Sequence, residues 1–218
     1  MMKIFKENGE YLVDTDELRE ISSGTYGTIY PYGEDKCLKK FKYVGYQQPD
    51  PIITIKNLSL ANFYKIGDIL YNEDFKYIGY ISDFYRPDDF DILSDKEYLT
   101  CEVNNIYKSI DILTNNGYQV VDLHTGNVIV NKDGITIIDA DNYQKTNIDN
   151  RELNMYRFKS MIRTLMYDYL VKNKVSDLMT AYNQLVRLLD MNSLNINHFN
   201  NVMKRYKKPI DYFTKVIK

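Results

Sequence analysis

The sequence predicts an α+β fold, with a first half of short antiparallel strands and a mostly helical second half. Three observations carry that expectation. Up to about residue 85, apolar runs rich in β-branched and aromatic residues alternate with turn residues at hairpin spacing. Farther on, Leu99, Val103, Ile106, Ile110 and Leu113 recur at steps of four, three, four and three, which is one face of a helix. At 218 residues and 25.8 kDa the chain suffices for one well-packed domain or two small lobes.

Taken in order, residues 10–13 form a short apolar run, and residues 18–23 lead into Gly24-Thr25-Tyr26-Gly27. Thr28, Ile29 and Tyr30 follow, then a turn at Gly33-Glu34-Asp35, then a strand over residues 37–43. Gln47-Gln48-Pro49-Asp50-Pro51 interrupts the pattern, and residues 52–63 predict a short helix with an unfavourable β-branched start. Two further strands, 66–71 and 76–84, flank the turn Asn72-Glu73-Asp74 and complete a five-stranded antiparallel sheet. Arg86-Pro87-Asp88-Asp89 reads as a linker dividing a β-rich unit (1–85) from a helical unit (86–218). Ser94 or Asp95 can cap the helix through Leu99–113, and Gly117 can end it. Residues 120–121 and 127–130 predict brief strands, Asn131-Lys132-Asp133-Gly134 a hairpin turn, and 135–138 the returning strand. From residue 153 the pattern is helical, with stripes at Met155, Phe158, Ile162, Leu165, Met166 and Leu170, then Leu178, Leu185, Leu188 and Leu189.

Composition narrows the function classes. Apolar residues make up 44% and charged residues 27%, the proportions of an ordinary globular protein. A net charge of −2 gives no basic excess for phosphate neutralisation, so no nucleic-acid partner is expected. The cluster Lys204-Arg205-Tyr206-Lys207-Lys208 reads as a solvated helix end. No apolar run is long enough to span a bilayer, and the first ten residues lack the apolar core of a signal peptide. Cys37 and Cys101 form neither a disulfide framework nor a metal cluster, so a reducing, cytoplasmic setting is expected. His198 has no His or Cys at ligand spacing, which argues against zinc.

Four groups of residues can carry chemistry. In Ser22-Ser23-Gly24-Thr25-Tyr26-Gly27-Thr28-Ile29-Tyr30, glycines let backbone N–H groups approach an anion, although a plain hairpin turn requiring positive φ has the same spelling. Lys39 shares a strand face with the apolar Cys37 and Phe41, so its ammonium lies along a buried surface and needs an anionic partner, while Lys40 alternates to the other face. Asp122 and Asn127, five positions apart on a loop, can converge. The carboxylate can orient a hydroxyl and the amide oxygen suits Mg²⁺, though both residues are also common turn formers. Finally, the apolar strand Ile137-Ile138 ends on Asp139-Ala140-Asp141, and Asp139 across the hairpin from Asn127 would complete a metal pair.

In this order and spacing the four groups resemble the protein-kinase-like superfamily over roughly residues 15–170. Residues Ser22 to Tyr30 resemble its glycine loop, with Ser22 for the first glycine, and Cys37-Leu38-Lys39 its Ala-x-Lys strand. The resemblance implies a bilobal fold: a five-stranded N-terminal lobe with an abbreviated helix C, and a truncated, mainly helical C-terminal lobe. It implies ATP and Mg²⁺ as cofactors, with Asp122 and Lys39 catalytic and Asn127 and Asp139 as metal ligands. Ser22, Ser23, Gly24, Thr25, Tyr26, Gly27, Ile29, Cys37 and Lys39 would contact nucleotide. An interlobe hinge near Phe84, Tyr85 and Asp88 would take the adenine on backbone groups. Asn154 stands where the family's helix F usually carries Asp.

The departures are specific. Val120 and Val121 replace the His-Arg pair, His124 replaces a Lys, and Asp139-Ala140-Asp141 lacks Phe and Gly. No glutamate is well placed to pair with Lys39, leaving Asp50 and Asp68 as imperfect candidates. Only about a dozen residues separate Asp139 from the next long helix, so there is little peptide-docking platform. The expectation is a minimal kinase similar to small bacterial effector and phage kinases, acting on Ser or Thr of a protein, either cytoplasmic or delivered into a host cell without an N-terminal signal. The alternatives are a pseudokinase binding module and a small-molecule kinase of the aminoglycoside or lipopolysaccharide type.

Overall fold

The structure, a computed structural model, describes residues 2–45, 48–86, 96–131, 134–172, 174–190, 201–202 and 205–206. Pro87, Asp88, Asp89, Ser94, Asp95, Lys132, Asp133, His198, Lys204, Lys207 and Lys208 lie outside them. The fold is α+β. Strands β1 (Lys3–Lys6), β2 (Tyr11–Asp14), β3 (Ser22–Ser23), β4 (Gly27–Tyr32), β5 (Lys36–Phe41), β6 (Ile66–Tyr71) and β7 (Tyr77–Asp83) form one antiparallel sheet in the order β2-β1-β6-β7-β5-β4-β3.

The sheet therefore has seven strands where five were expected. Strand β2 coincides with the short apolar run expected at 10–13, whereas β1 was not expected; it joins β2 to β6 through Phe5↔Tyr71 and Lys6↔Leu70. The signal for the β1–β2 hairpin was an Asn8-Gly9 turn between two alternating runs. Gly9 takes φ +81°, and its N–H and that of Lys6 close the turn on Lys6 and Glu10 carbonyls at 2.9 Å.

Helix α1 (Asp50–Leu58) begins and ends earlier than the expected 52–63, because Pro51 suits a first turn and Ser59 adopts a left-handed φ of 47° that closes the helix. It buries Pro51, Ile52 and Ile55. Helix α2 (Lys96–Asn115) stops before Gly117, whose φ of +77° and N–H to the Thr114 carbonyl at 2.9 Å end it as expected. The strand expected at 120–121 falls instead at β8 (Tyr118–Gln119), which pairs with β11 (Gln144–Lys145). Between them β9 (Val128–Asn131) and β10 (Gly134–Ile137) form a hairpin with Val128 opposite Ile137. Helices α3 (Arg151–Lys172) and α4 (Leu178–Asp190) follow.

A continuous apolar core joins one face of the sheet to the helices, from Phe41, Ile69 and Tyr80 through Ile52 and Ile106 to Phe158, Ile162 and Leu185. The opposite sheet face packs a second cluster of Ile4, Leu38, Leu70, Ile78 and Ile81. Leu38 and Lys39 thus face opposite ways, as strand alternation requires. Residues 62–64 seal the junction: the Tyr64 N–H donates to the Ile137 carbonyl at 3.0 Å, and the Ile137 N–H to that of Asn62 at 2.6 Å.

The β5–β7 pairing depends on one missing side chain. A Cβ on Gly79 would lie 1.9 Å from the Lys39 carbonyl oxygen, so the strands would have to part there. Gly79→Ala is expected to cost about 1–3 kcal/mol, the range for overpacking a tight interior. A thermal melt checks it; an unchanged midpoint would show that the two strands tolerate separation beside Lys39.

Candidate functional site

Lys39 lies on β5 between Ile29 of β4 and Tyr80 of β7, its direct cross-strand partners. It is only 6% exposed, so its ammonium needs counter-charge. Two carboxylates supply it: Nζ donates to Oδ1 of Asp139 and to Oδ2 of Asp141. Neither Asp50 nor Asp68 does. Asp50 is exposed at the start of α1, and Asp68 lies 3.9 Å from Lys6. Burial alone would lower the Lys39 pKa, but the two facing carboxylates outweigh it and hold the ammonium above its usual range.

Asp139 reaches this position because β10 ends at Ile137 and the chain then turns sharply, with Asp139 at φ 61°. Asp122 has the same left-handed backbone, φ 59°. Such conformations are strained for non-glycine residues, least so for Asp and Asn, and they gather at functional sites. The Asp122 carboxylate is exposed, and its Oδ2 accepts from Asn142 Nδ2 at 2.9 Å. Asn127 is tied to the same loop, donating from Nδ2 to the Asp122 carbonyl at 3.0 Å. Its own carbonyl accepts from the Ile138 N–H at 2.9 Å, which sets Asn127 beside the residue that precedes Asp139.

From below, Asn154 of α3 holds this loop. It is fully buried; its Oδ1 accepts from the Val120 N–H at 2.8 Å, and its Nδ2 donates to the Tyr118 carbonyl at 2.8 Å. Arg157, one turn on, donates to the Val120 carbonyl at 2.7 Å. A neutral amide does here what a carboxylate could do only in part, since it both donates and accepts.

Lys39, Asp122, Asn127, Asp139 and Asp141 line one cleft of about 400 Å³. Its sheet wall is the turn of Ser22, Ser23, Gly24, Thr25, Tyr26 and Gly27, with Ile29 and Lys39 behind; the facing wall carries Asp122, His124, Asn127 and Asp139. A smaller apolar pocket of about 110 Å³ adjoins it, lined by Cys37, Phe84 and Tyr85 together with Ile29, Lys39 and Asp139. The Phe84 N–H, expected to meet adenine, is taken by the Asp35 carbonyl at 2.8 Å. The Cys37 thiol is buried, and burial raises its pKa.

The glycine turn is closed by the Gly24 N–H on the Gly27 carbonyl at 2.9 Å, and neither glycine has positive φ. The turn therefore does not demand glycine for a left-handed backbone. A Cβ on Gly24 would meet nothing closer than 4.0 Å, leaving its backbone open to the cleft, whereas Gly27 is needed because a Cβ would press on the Lys40 carbonyl at 3.0 Å.

Asp141, Asn142 and Tyr80 were missed as site residues. The sequence showed Asp141 as one of two acids after an apolar strand, but nothing said that the second would turn inward. The structure buries it with its carboxyl raised by burial, opposed by Lys39.

Among the described residues no three His, Cys, Asp or Glu side chains gather into a metal cage. The hard oxygens of Asn127 and Asp139 nonetheless suit Mg²⁺, which takes few protein ligands and fills its shell with water and phosphate oxygens. Among the described residues no helix is long and apolar enough to cross a membrane. No protein-family model matches the chain, and no curated protein resembles it closely enough to count as a match.

Proposed function

We propose that the chain is an ATP- and Mg²⁺-dependent phosphotransferase of minimal protein-kinase-like, bilobal design, acting on a Ser or Thr hydroxyl of a protein. The observation that carries this reading is convergence. Lys39 and Asp139, 100 positions apart, make an ion contact in a cleft also lined by the glycine turn, Asp122 and Asn127. Strand order adds support: β3-β4-β5-β7-β6 is the five-stranded order of such an N-terminal lobe, with α1 as the abbreviated helix C between its third and fourth strands.

In this reading the backbone of residues 23–27 and the Lys39 ammonium hold the phosphates, and the apolar pocket beside Phe84 and Tyr85 takes the base. Asn127 and Asp139 would hold Mg²⁺, which when bound neutralises phosphate charge. Asp122, aimed by Asn142, accepts the hydroxyl proton as the acceptor oxygen bonds the γ-phosphorus and ADP departs with the electrons of the broken P–O bond. A small-molecule acceptor is favoured by one observation: α3 begins at Arg151, twelve positions after Asp139, leaving little room for a peptide platform.

Asp122→Asn tests the reading. Transfer of labelled γ-phosphate to casein, and in parallel to an aminoglycoside, is expected to fall about 10²–10⁴-fold, the usual contribution of a positioned proton acceptor. ADP affinity should stay within about threefold, since in this reading the exposed carboxylate meets the acceptor hydroxyl and the phosphates are held by Lys39 and the glycine turn. Transfer that survives the substitution, or a wild-type protein that transfers to neither acceptor nor to water, would refute it.

A further inference from the structure

The two carboxylates on Lys39 sit in different surroundings. The Asp139 side chain is 47% exposed and that of Asp141 is 4% exposed. An ion pair open to water is weak and readily exchanged, whereas separating a buried pair strands a charge at low dielectric. Asp141 is also gripped from a second side: Tyr80 Oη donates to its Oδ1 at 2.8 Å while Lys39 takes Oδ2. Lys39 and Tyr80 face each other across β5 and β7, so two cross-strand neighbours hold the two oxygens of one carboxylate from the 3₁₀ turn Ala140–Asn142. Burial, with the Asp141 charge nearby, keeps the Tyr80 phenol protonated and therefore a donor. Helix α1 offers nothing equivalent, since its one carboxylate, Asp50, is exposed.

Resting on the reading that the cleft takes nucleotide phosphates, we propose that Asp141 is a positioning residue: held by Tyr80, it anchors Lys39 at the cleft wall and leaves Asp139 free to exchange Lys39 for a metal ion. The role a glutamate of the preceding helix could play falls to a carboxylate two residues beyond the metal ligand. The junction between sheet and helical half is then also the device that aims the phosphate-binding lysine.

Two measurements test this on the full chain. Trace acetylation with acetic anhydride, read by mass spectrometry, reports the freedom of the Lys39 amine without any nucleotide. Lys39 is expected to react at least about tenfold faster in Asp141→Asn than in wild type, with a smaller rise in Tyr80→Phe and little change in Asp139→Ala. Equal release of Lys39 by Asp139→Ala and Asp141→Asn would overturn the anchor. The second measurement is ADP binding, with and without Mg²⁺, well below each variant's melting temperature. Asp141→Asn should weaken ADP about tenfold, leave the Mg²⁺ concentration for half-saturation unchanged, and add nothing further in a Lys39→Met background. A purely structural role predicts wild-type ADP affinity in the folded variant, and a metal-ligand role predicts a raised Mg²⁺ requirement; either result overturns the proposal. If wild-type protein binds no ADP, the phosphotransferase reading fails, and the acetylation pattern alone decides whether Asp141 anchors Lys39.

Discussion

Asp139→Ala is expected to lower phosphoryl transfer on the order of 10³-fold or more, the scale seen when a preorganised charge is removed from a reacting centre, while leaving the fold in place. Of the two carboxylates paired with Lys39 among the described residues, that of Asp139 is the one open to the cleft, with 47% of the side chain exposed, and Asn127 lines the same cleft. Among the described residues, the other carboxylates of the cleft could replace it as a metal ligand only by abandoning a partner, since Asp122 is held by Asn142 and Asp141 by Lys39 and Tyr80. Stability should fall only modestly, because the Lys39–Asp139 pair is open to water on its Asp139 side and Lys39 keeps its buried partner Asp141. Alanine at φ 61° adds about 1–2 kcal/mol of backbone strain. Asp139→Asn, which tolerates that conformation, separates the two effects. Each kcal/mol moves the midpoint by about 2–4 °C at this chain length. Retained turnover in both variants would remove Asp139 from the metal site.

The parts of this molecule that were legible in its sequence are those written in local pattern. Alternation placed Lys39 on the buried face of its strand and Leu38 on the other, and the heptad-like spacing of residues 99–113 marked α2. Gly117 ended that helix for a local reason, its left-handed backbone. The β1 strand was lost because four residues, Lys3–Lys6, carry too short a pattern to stand out, although Asn8-Gly9 announced the hairpin. The partner of Lys39 was lost for a different reason. Asp139 and Asp141 lie two positions apart and differ only in the turn between them: Asp139 is left-handed and half open, while Asp141 enters a 3₁₀ turn and points inward under Tyr80. No periodicity encodes that difference, because it depends on Tyr80 and Lys39, far away in the chain, reaching Asp141. Asn154 belongs with it. A buried Asn on a helix reads as an anomaly until the backbone of residues 118–120 is laid beside it.

Lys39→Met should bring the largest loss of stability, about 3–5 kcal/mol near neutral pH, as expected when one member of a buried pair is removed. At this chain length that is roughly 10 °C in the midpoint. Methionine keeps the stem's bulk, so the loss is electrostatic: Asp141, 5% exposed, retains the Tyr80 hydroxyl but no counter-charge. The pH dependence has a definite sign. Burial already holds the Asp141 carboxyl above its ordinary value of 3.8, with Lys39 as the chief opposing influence, and without Lys39 the upward displacement grows. An acid whose folded pKa is raised stabilises the fold fully below its unfolded pKa and loses that stability as pH rises through the folded one. The deficit of Lys39→Met should therefore be greatest at pH 7–8 and shrink steadily toward pH 4, where the fold can take the proton. In wild type Lys39 has the complementary behaviour: its pKa is raised, so its contribution persists through neutral pH and is lost only as pH climbs past about 10.5. Adding Asp141→Asn to Lys39→Met removes the stranded charge while keeping an acceptor for Tyr80, and should restore most of the lost stability at pH 7.5. Melts of the three proteins across pH 4 to 8 decide the matter: a deficit that stays flat with pH, or a double variant no more stable than Lys39→Met, would mean that the buried carboxylate is not what the lysine neutralises.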